Sequence, residues 1–340
     1  MQRSKPLSEL VVSNLLKNTP AGRYLVTAFL SFGVLSPVAF FLSHPMWAFA
    51  CRPSLGANEI VAYCHSEQYG NYEHAAYFLD LEPRIVENFR QAKILFFGNS
   101  RLQFGLARPV AQSALTRLGT GVHSAAFSYN EAMPFASALI KRYKPHPRAV
   151  VINVDPFFWD RSSPPAREVL AENPISRIAY RLKRDMMHLQ RRVCGSSPKT
   201  FWPCNGEAPV VLRKFDGTWV VDYIDKPKHI PFVETEKKFM QLAISSQIKA
   251  ERFLNLLGTA RQCVIFTSMP SPHSTRALAK DLATKLGVEF IAPNLTDLKT
   301  FDKTHLDVES ANRWAKAFFS EADAKIHNCI HGGGENFATN

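Results

Sequence analysis

Five short apolar runs, Ile94–Phe97, Val122–Phe127, Ala149–Val154, Cys263–Thr267 and Val288–Ile291, alternate along this chain with stretches patterned for amphipathic helix. The helical stretches are Ala107–Leu118, Asn130–Tyr143, Glu234–Leu257, Thr275–Leu286 and, after the last run, Val308–Phe319. A strand that is apolar at consecutive positions has no polar face to give to water, so it must be covered on both sides. Helices between such strands provide the cover. The expected fold class is therefore α/β, a three-layer parallel sheet with right-handed crossovers. Ligands in such sheets bind beyond the carboxyl ends of the strands, where Ser100, Asp155 and Ser268 fall.

Two segments bring chemistry to that end. Lys93-Ile94-Leu95-Phe96-Phe97-Gly98-Asn99-Ser100-Arg101 reads as a buried strand that stops at a glycine and presents a serine. About two hundred residues later, Asp302-Lys303-Thr304-His305 puts a carboxylate and an imidazole on a loop leading into a helix. Each alone is also an ordinary turn or helix start. Together, serine, histidine and aspartate can make a nucleophile at neutral pH: His305 takes the Ser100 proton and Asp302 holds the imidazole tautomer. The oxyanion that follows attack needs donors. The Ser100 N–H is the natural first, and the second comes from an amide near Ser128–Asn130 or from the side chain of Asn130 or Asn153. Arg101 either holds an anionic group or caps the strand end.

The N-terminal region sets the expected compartment. Residues 24–43 carry no charge, and at ~1.5 Å per residue such a stretch spans a hydrocarbon core of about 30 Å. Arg3, Lys5, Lys17 and Arg23 precede it, and the next basic residue is Arg52. The expectation is a transmembrane helix with residues 1–23 cytoplasmic and the rest outside. A cleaved signal peptide and a buried core helix are the alternatives. Residues 44–90 then read as a membrane-proximal, largely helical linker, 91–325 as the main domain, and 326–340 as a flexible tail. Within the main domain, about 156–231 reads as an insertion. It holds a hairpin whose strands, Val210–Phe215 and Thr218–Ile224, flank a type I′ turn at Asp216-Gly217.

Net charge is +12, with 41 Lys and Arg against 29 Asp and Glu. Such a surface suits an acidic polymer or anionic lipid, and without zinc-finger spacing or an RNP-like aromatic motif no nucleic-acid partner is expected. The basic run Arg177–Arg192 reads first as a solvated helix face and second as a binding patch. Six cysteines fit an oxidising compartment. Cys51 with Cys64, or Cys194 with Cys204, could each close a short loop, while Cys263 reads as a buried thiol. None has metal-site spacing, so neither metal nor cofactor is expected.

The Phe97-Gly98-Asn99-Ser100 and Asp302-x-x-His305 blocks resemble those of the SGNH hydrolase superfamily. More narrowly, the chain looks like the membrane-anchored SGNH-like proteins that acylate envelope polymers, such as the alginate and peptidoglycan O-acetyltransferases and DltD-type proteins. The resemblance covers roughly residues 90–320. Asn99 stands where the superfamily usually has aspartate, Phe127-Ser128-Tyr129-Asn130 where a second-block glycine is expected, and Val151-Ile152-Asn153-Val154-Asp155 where Gly-x-Asn-Asp is expected. These departures tilt the expectation toward transferase. The resemblance implies a periplasmic domain on the inner membrane and O-acylation, with acetyl as the expected group, of an acidic polysaccharide or other envelope glycan. It also implies a multi-pass membrane acyltransferase as the partner that delivers the acyl group. An esterase with the same triad and a non-catalytic subunit of a polysaccharide complex are the alternatives.

Overall fold

The computed structural model describes residues 24, 49–53, 56, 58–65, 70–119, 121–155, 157–195, 202–221, 229–236 and 240–331. The chain starts with strands β1 (Glu59–Cys64) and β2 (Gly70–Asn71) and helices α1 (Glu73–Phe78) and α2 (Pro83–Arg90). It continues through β3 (Ile94–Asn99), α3 (Ser100–Leu106), α4 (Pro109–Arg117), β4 (Val122–Phe127), α5 (Met133–Tyr143) and β5 (Ala149–Asn153). Next come α6 (Pro164–Leu170), α7 (Pro174–Cys194), β6 (Val210–Lys214), β7 (Trp219–Val220), β8 (Ile230–Pro231) and β9 (Thr235–Glu236). The last elements are α8 (Met240–Leu257), β10 (Val264–Thr267), β11 (His273–Ser274), α9 (Arg276–Leu286), β12 (Glu289–Phe290), β13 (Lys299–Thr300) and α10 (Val308–His331).

The five apolar runs form one parallel sheet in the order β12-β10-β5-β3-β4. Numbered along the chain this is the doubly wound order 2-1-3-4-5, with its switch point beside β3. Alternate residues feed two cores. Leu95, Phe97, Val150, Ile152 and Phe266 pack with apolar residues of α1, α2, α5, α8 and α9 on one face. Ile94, Phe96, Val151 and Ile265 pack with those of α3, α4 and α10 on the other. The result is the expected three layers.

The stretch before the sheet differs from the expected helical linker. Glu59–Cys64 is a strand, not part of a helical linker: it pairs antiparallel with β6, and the next described helix starts at Glu73. Its Glu-Ile-Val-Ala-Tyr-Cys sequence is rich in strand-favouring residues, and β6 supplies a partner far away in sequence. The 44–90 and 156–231 segments thus build one antiparallel sheet, β2-β1-β6-β7.

The hairpin in that sheet is also one residue longer than expected. Gly217 N–H donates to Lys214 O (2.9 Å) and Lys214 N–H to Thr218 O (2.8 Å), giving a three-residue loop with Gly217 in the left-handed region (φ +80°). Asp216 has no positive φ, so the turn is type I followed by a bulge rather than type I′. Asp216 Oδ1 accepts from both the Thr218 N–H and hydroxyl (2.8 and 2.6 Å), and Asp216 O accepts from Ser124 N–H (2.8 Å). The turn therefore caps the edge of β4. A Cβ at Gly217 would come within 2.0 Å of Ser124 O, so only glycine fits.

The C-terminal region is more ordered than expected. Helix α10 runs to His331, past residue 326, with Ile326 and Ile330 buried. Cys263 is not a thiol but is disulfide-bonded to Cys329, and the other bridges are Cys51–Cys64 and Cys194–Cys204. No helix among the described residues is long and apolar enough to cross a membrane. The proposed span 24–43 lies outside the described residues except for Tyr24.

Candidate active site

Gly98 lets α3 start at once where β3 ends. A Cβ at Gly98 would sit 3.0 Å from both Asn153 Cβ and Leu102 Cδ2, so a side chain there would push the helix off the sheet. Asn99 caps α3, its Oδ1 accepting from Arg101 N–H (3.0 Å), while its Nδ2 donates to Asp155 O. Asparagine at this position therefore ties the serine turn to the end of β5. Ser100 is the first residue of α3 and is buried.

The other two residues arrive from the far side of the chain. Strand β13 pairs antiparallel with β8, and a bridge between Thr300 and Leu306 closes the intervening loop. Lys303 takes a left-handed conformation (φ 70°). The Asp302 Oδ1 accepts from the N–H groups of Thr304 (2.9 Å) and His305 (2.8 Å), which fixes the carboxylate against its own loop. Its Oδ2 lies 2.7 Å from His305 Nδ1, and His305 Nε2 lies 2.8 Å from Ser100 Oγ. The three predicted residues thus form one unbroken hydrogen-bond chain. Burial works against ionising Asp302, but the hydrogen bonds and charge of His305 and the loop N–H groups outweigh it and hold the carboxyl below its ordinary range.

The imidazole packs against a pair of touching rings that sequence reasoning missed. Phe104 lies 4.4 Å from His305 between centroids, and Phe301 stacks on it at 5.7 Å. Behind them Trp219 meets Phe104 edge-on at 5.5 Å, within a small core shared with Ala62, Val211 and Val221 of the antiparallel sheet. Phe104 lies four residues after Ser100 and so on the same helical side, a signal that placing a helix at Ser100 would have exposed. Trp219 carries no local signal.

The other predicted site residues have varied positions. Arg101 is ion-paired with Asp155, which answers whether it caps the strand end. Burial lowers its pKa and nearby Asp302 raises it, with a net decrease. The Ser128 N–H is spent on Glu73 Oε1 (2.9 Å), and its Oγ accepts from Asn71 Nδ2 (2.8 Å), which leaves the hydroxyl proton as the donor Ser128 can offer. Asn130 is exposed and, with Tyr129, left-handed (φ 52° and 59°). The buried Asn153 accepts from Met269 N–H through Oδ1 (2.9 Å), and its Nδ2 has no partner. Of the donor candidates, it alone is a buried amide with an unspent N–H. Outside the predicted set, His123 is a core histidine of β4, 2.8 Å from Tyr77 Oη, while His273 pairs in the short β9–β11 ladder. Asp307 caps α10 through Ser310 N–H (2.8 Å).

The sequence missed a buried polar framework beside Ser128. Glu73 Oε2 accepts from Arg213 Nη1 (2.6 Å) and Trp219 Nε1 (3.0 Å), and Arg213 Nη2 donates to Ser124 O and Ala126 O (2.7 and 2.8 Å). Next to it, His74 bridges Asn71 Oδ1 and Glu131 Oε2, both at 2.8 Å. Groups from the antiparallel sheet and α1 thus bond Ser128 and Glu131 just past the end of β4, so the framework holds the 128–131 loop that flanks Ser100. No family model, curated protein or solved structure matches this chain.

Proposed function

We propose that this chain is a serine-dependent O-acyltransferase of the SGNH-like, membrane-anchored kind, acting on an envelope or exported polysaccharide. The observation that carries the reading is the unbroken Asp302–His305–Ser100 chain at the carboxyl end of β3. In the first half-reaction, Ser100 Oγ bonds the acyl carbon while its proton passes to His305 Nε2. The leaving group departs with that proton as the tetrahedral adduct collapses to an acyl-enzyme. In the second, a sugar hydroxyl gives its proton to His305 and attacks the acyl carbon, and the proton returns to Ser100. Asp302 stabilises the imidazolium in both. The Ser100 N–H and the unspent amide of Asn153 are the donors proposed for the oxyanion, each worth about 3 kcal/mol at such sites.

The membrane placement rests on the uncharged stretch 24–43 and the basic residues before it, and the outer location is supported by the pairing of all six cysteines. The acyl group would come from a multi-pass membrane partner, and the +12 net charge suits an acidic polymer. No cofactor enters the chemistry. The test is partition of the acyl group: the full chain is given an activated acetyl ester with and without acidic oligosaccharides. Transfer to sugar hydroxyls above the rate of release to water supports the transferase. Release to water unaffected by any glycan would make the protein an esterase.

A further inference from the structure

Helix α7 carries the basic run singled out in the sequence, and its outer side is not simply a solvated charged face. Ile175, Ile178, Leu182 and Leu189 are exposed, Ile175 at 76% and Ile178 at 58%, and they fall at helical spacing along one side. Of the ten large apolar residues exposed among the described ones, these four and Trp202 make half. Arg177, Arg181, Arg184 and Arg192 line one side of the stripe, and Asp185, paired with Arg184, is the lone acid in the helix. Arg181 and Arg192 have no carboxylate partner among the described residues. An apolar stripe bordered by arginines is the pattern of a helix that lies in a lipid headgroup layer.

A second observation fixes where this helix sits along the chain path. Gln190 Nε2, in the last turns of α7, donates to Cys51 O (3.1 Å) and Pro203 O (3.0 Å). Phe49 meets the exposed Trp202 edge-on at 5.1 Å, and Ala208 N–H donates to Ala50 O (3.0 Å). The uncharged stretch ends at Ser43, only six residues before Phe49, a gap that extended chain covers in at most about 20 Å. The end of α7 is therefore tethered close to the point where the chain would leave a bilayer.

We propose that α7 is an interfacial helix that lies on the outer surface of an anionic bilayer, with Ile175, Ile178, Leu182 and Leu189 in the acyl boundary, the arginines on phosphates and Trp202 at headgroup level. This rests on the anchored reading above. The contact would fix the orientation of the domain, and so of Ser100, toward a partner embedded in the same membrane.

The test places a reporter on the helix. All six native cysteines are disulfide-bonded, so Ile178→Cys in the full chain can be labelled alone with an environment-sensitive fluorophore; Lys316→Cys, exposed on α10 across the sheet, is the control. Both are reconstituted in phosphatidylcholine vesicles containing about one-third phosphatidylglycerol, with doxyl-labelled lipid as quencher. The expected result is a blue shift and loss of roughly half the emission at position 178, with no change at 316. The arginine contacts are supported if quenching at 178 falls in pure phosphatidylcholine. An alkaline wash separates the two readings. Protein retained by the vesicles with an unquenched 178 label overturns the interfacial helix and leaves the anchor standing. Protein released by the wash but quenched at 178 before it overturns the anchor and leaves the helix as the docking element. Release with no quenching overturns both.

Discussion

Glu73 and Arg213 form a fully buried ion pair, 2.6 Å from Oε2 to Nη1, and the other oxygen of the same carboxylate holds the Ser128 N–H at 2.9 Å. Arg213 belongs to the antiparallel sheet and Ser128 to the loop beside Ser100, so one carboxylate couples the two. Arg213→Met leaves Glu73 buried without its cation and should destabilise the fold by about 3–5 kcal/mol, read by denaturant unfolding. Burial opposes Glu73 ionisation, but Arg213, His74, the Ser128 N–H and Trp219 outweigh it and hold the folded-state pKa below the ordinary value. A depressed carboxylate contributes stability above its unfolded pKa, about 4.3, and loses it as pH falls through the folded value. Glu73→Gln should therefore be less stable at neutral pH and show a shallower decline of stability with acid than the wild type.

The aromatic packing against His305 predicts a kinetic effect. Phe104→Leu opens space on one side of the imidazole while keeping an apolar residue there. A base misplaced by about 1 Å loses up to 100-fold in rate, so kcat for a small ester should fall by about 10- to 100-fold with little change in KM. A variant whose KM rises while kcat holds would place Phe104 in the substrate pocket instead.

Arg101 is tied to Asp155, not free for an anion. Arg101→Gln should lower stability by about 3–5 kcal/mol through the uncompensated buried carboxylate. Its KM for neutral and anionic acyl donors should shift equally. A selective loss of the anionic donor would give Arg101 a substrate-binding role.

The parallel sheet was legible because its strands are apolar at consecutive positions, and the triad because each half is a contiguous motif that folds locally. Asn99 caps a helix at its own position, and Asp302 bonds the N–H groups two and three residues on. What could not be read was what long-range pairing decides. Strand β1 needs β6, which lies about 150 residues later, and Trp219 reaches His305 through Phe104. The Cys263–Cys329 bridge spans 66 residues, and nothing near either cysteine announces it. The tail looked flexible because the glycine run after Ile330 drew the boundary too early; the apolar residues Ile326 and Ile330 continue the spacing of α10 into the core.

The measurement that tests the central claim most directly is intact mass of the full chain after exposure to an activated acetyl ester, beside Ser100→Ala. The account predicts a gain of one acetyl group that maps to the Ser100 peptide and is absent from the variant. It also predicts slower adduct formation in Asp302→Asn, by roughly 10⁴-fold as in other triads that lose their aspartate. An adduct of equal size and rate in Ser100→Ala, or none in the wild type with its multi-pass partner present, would contradict it.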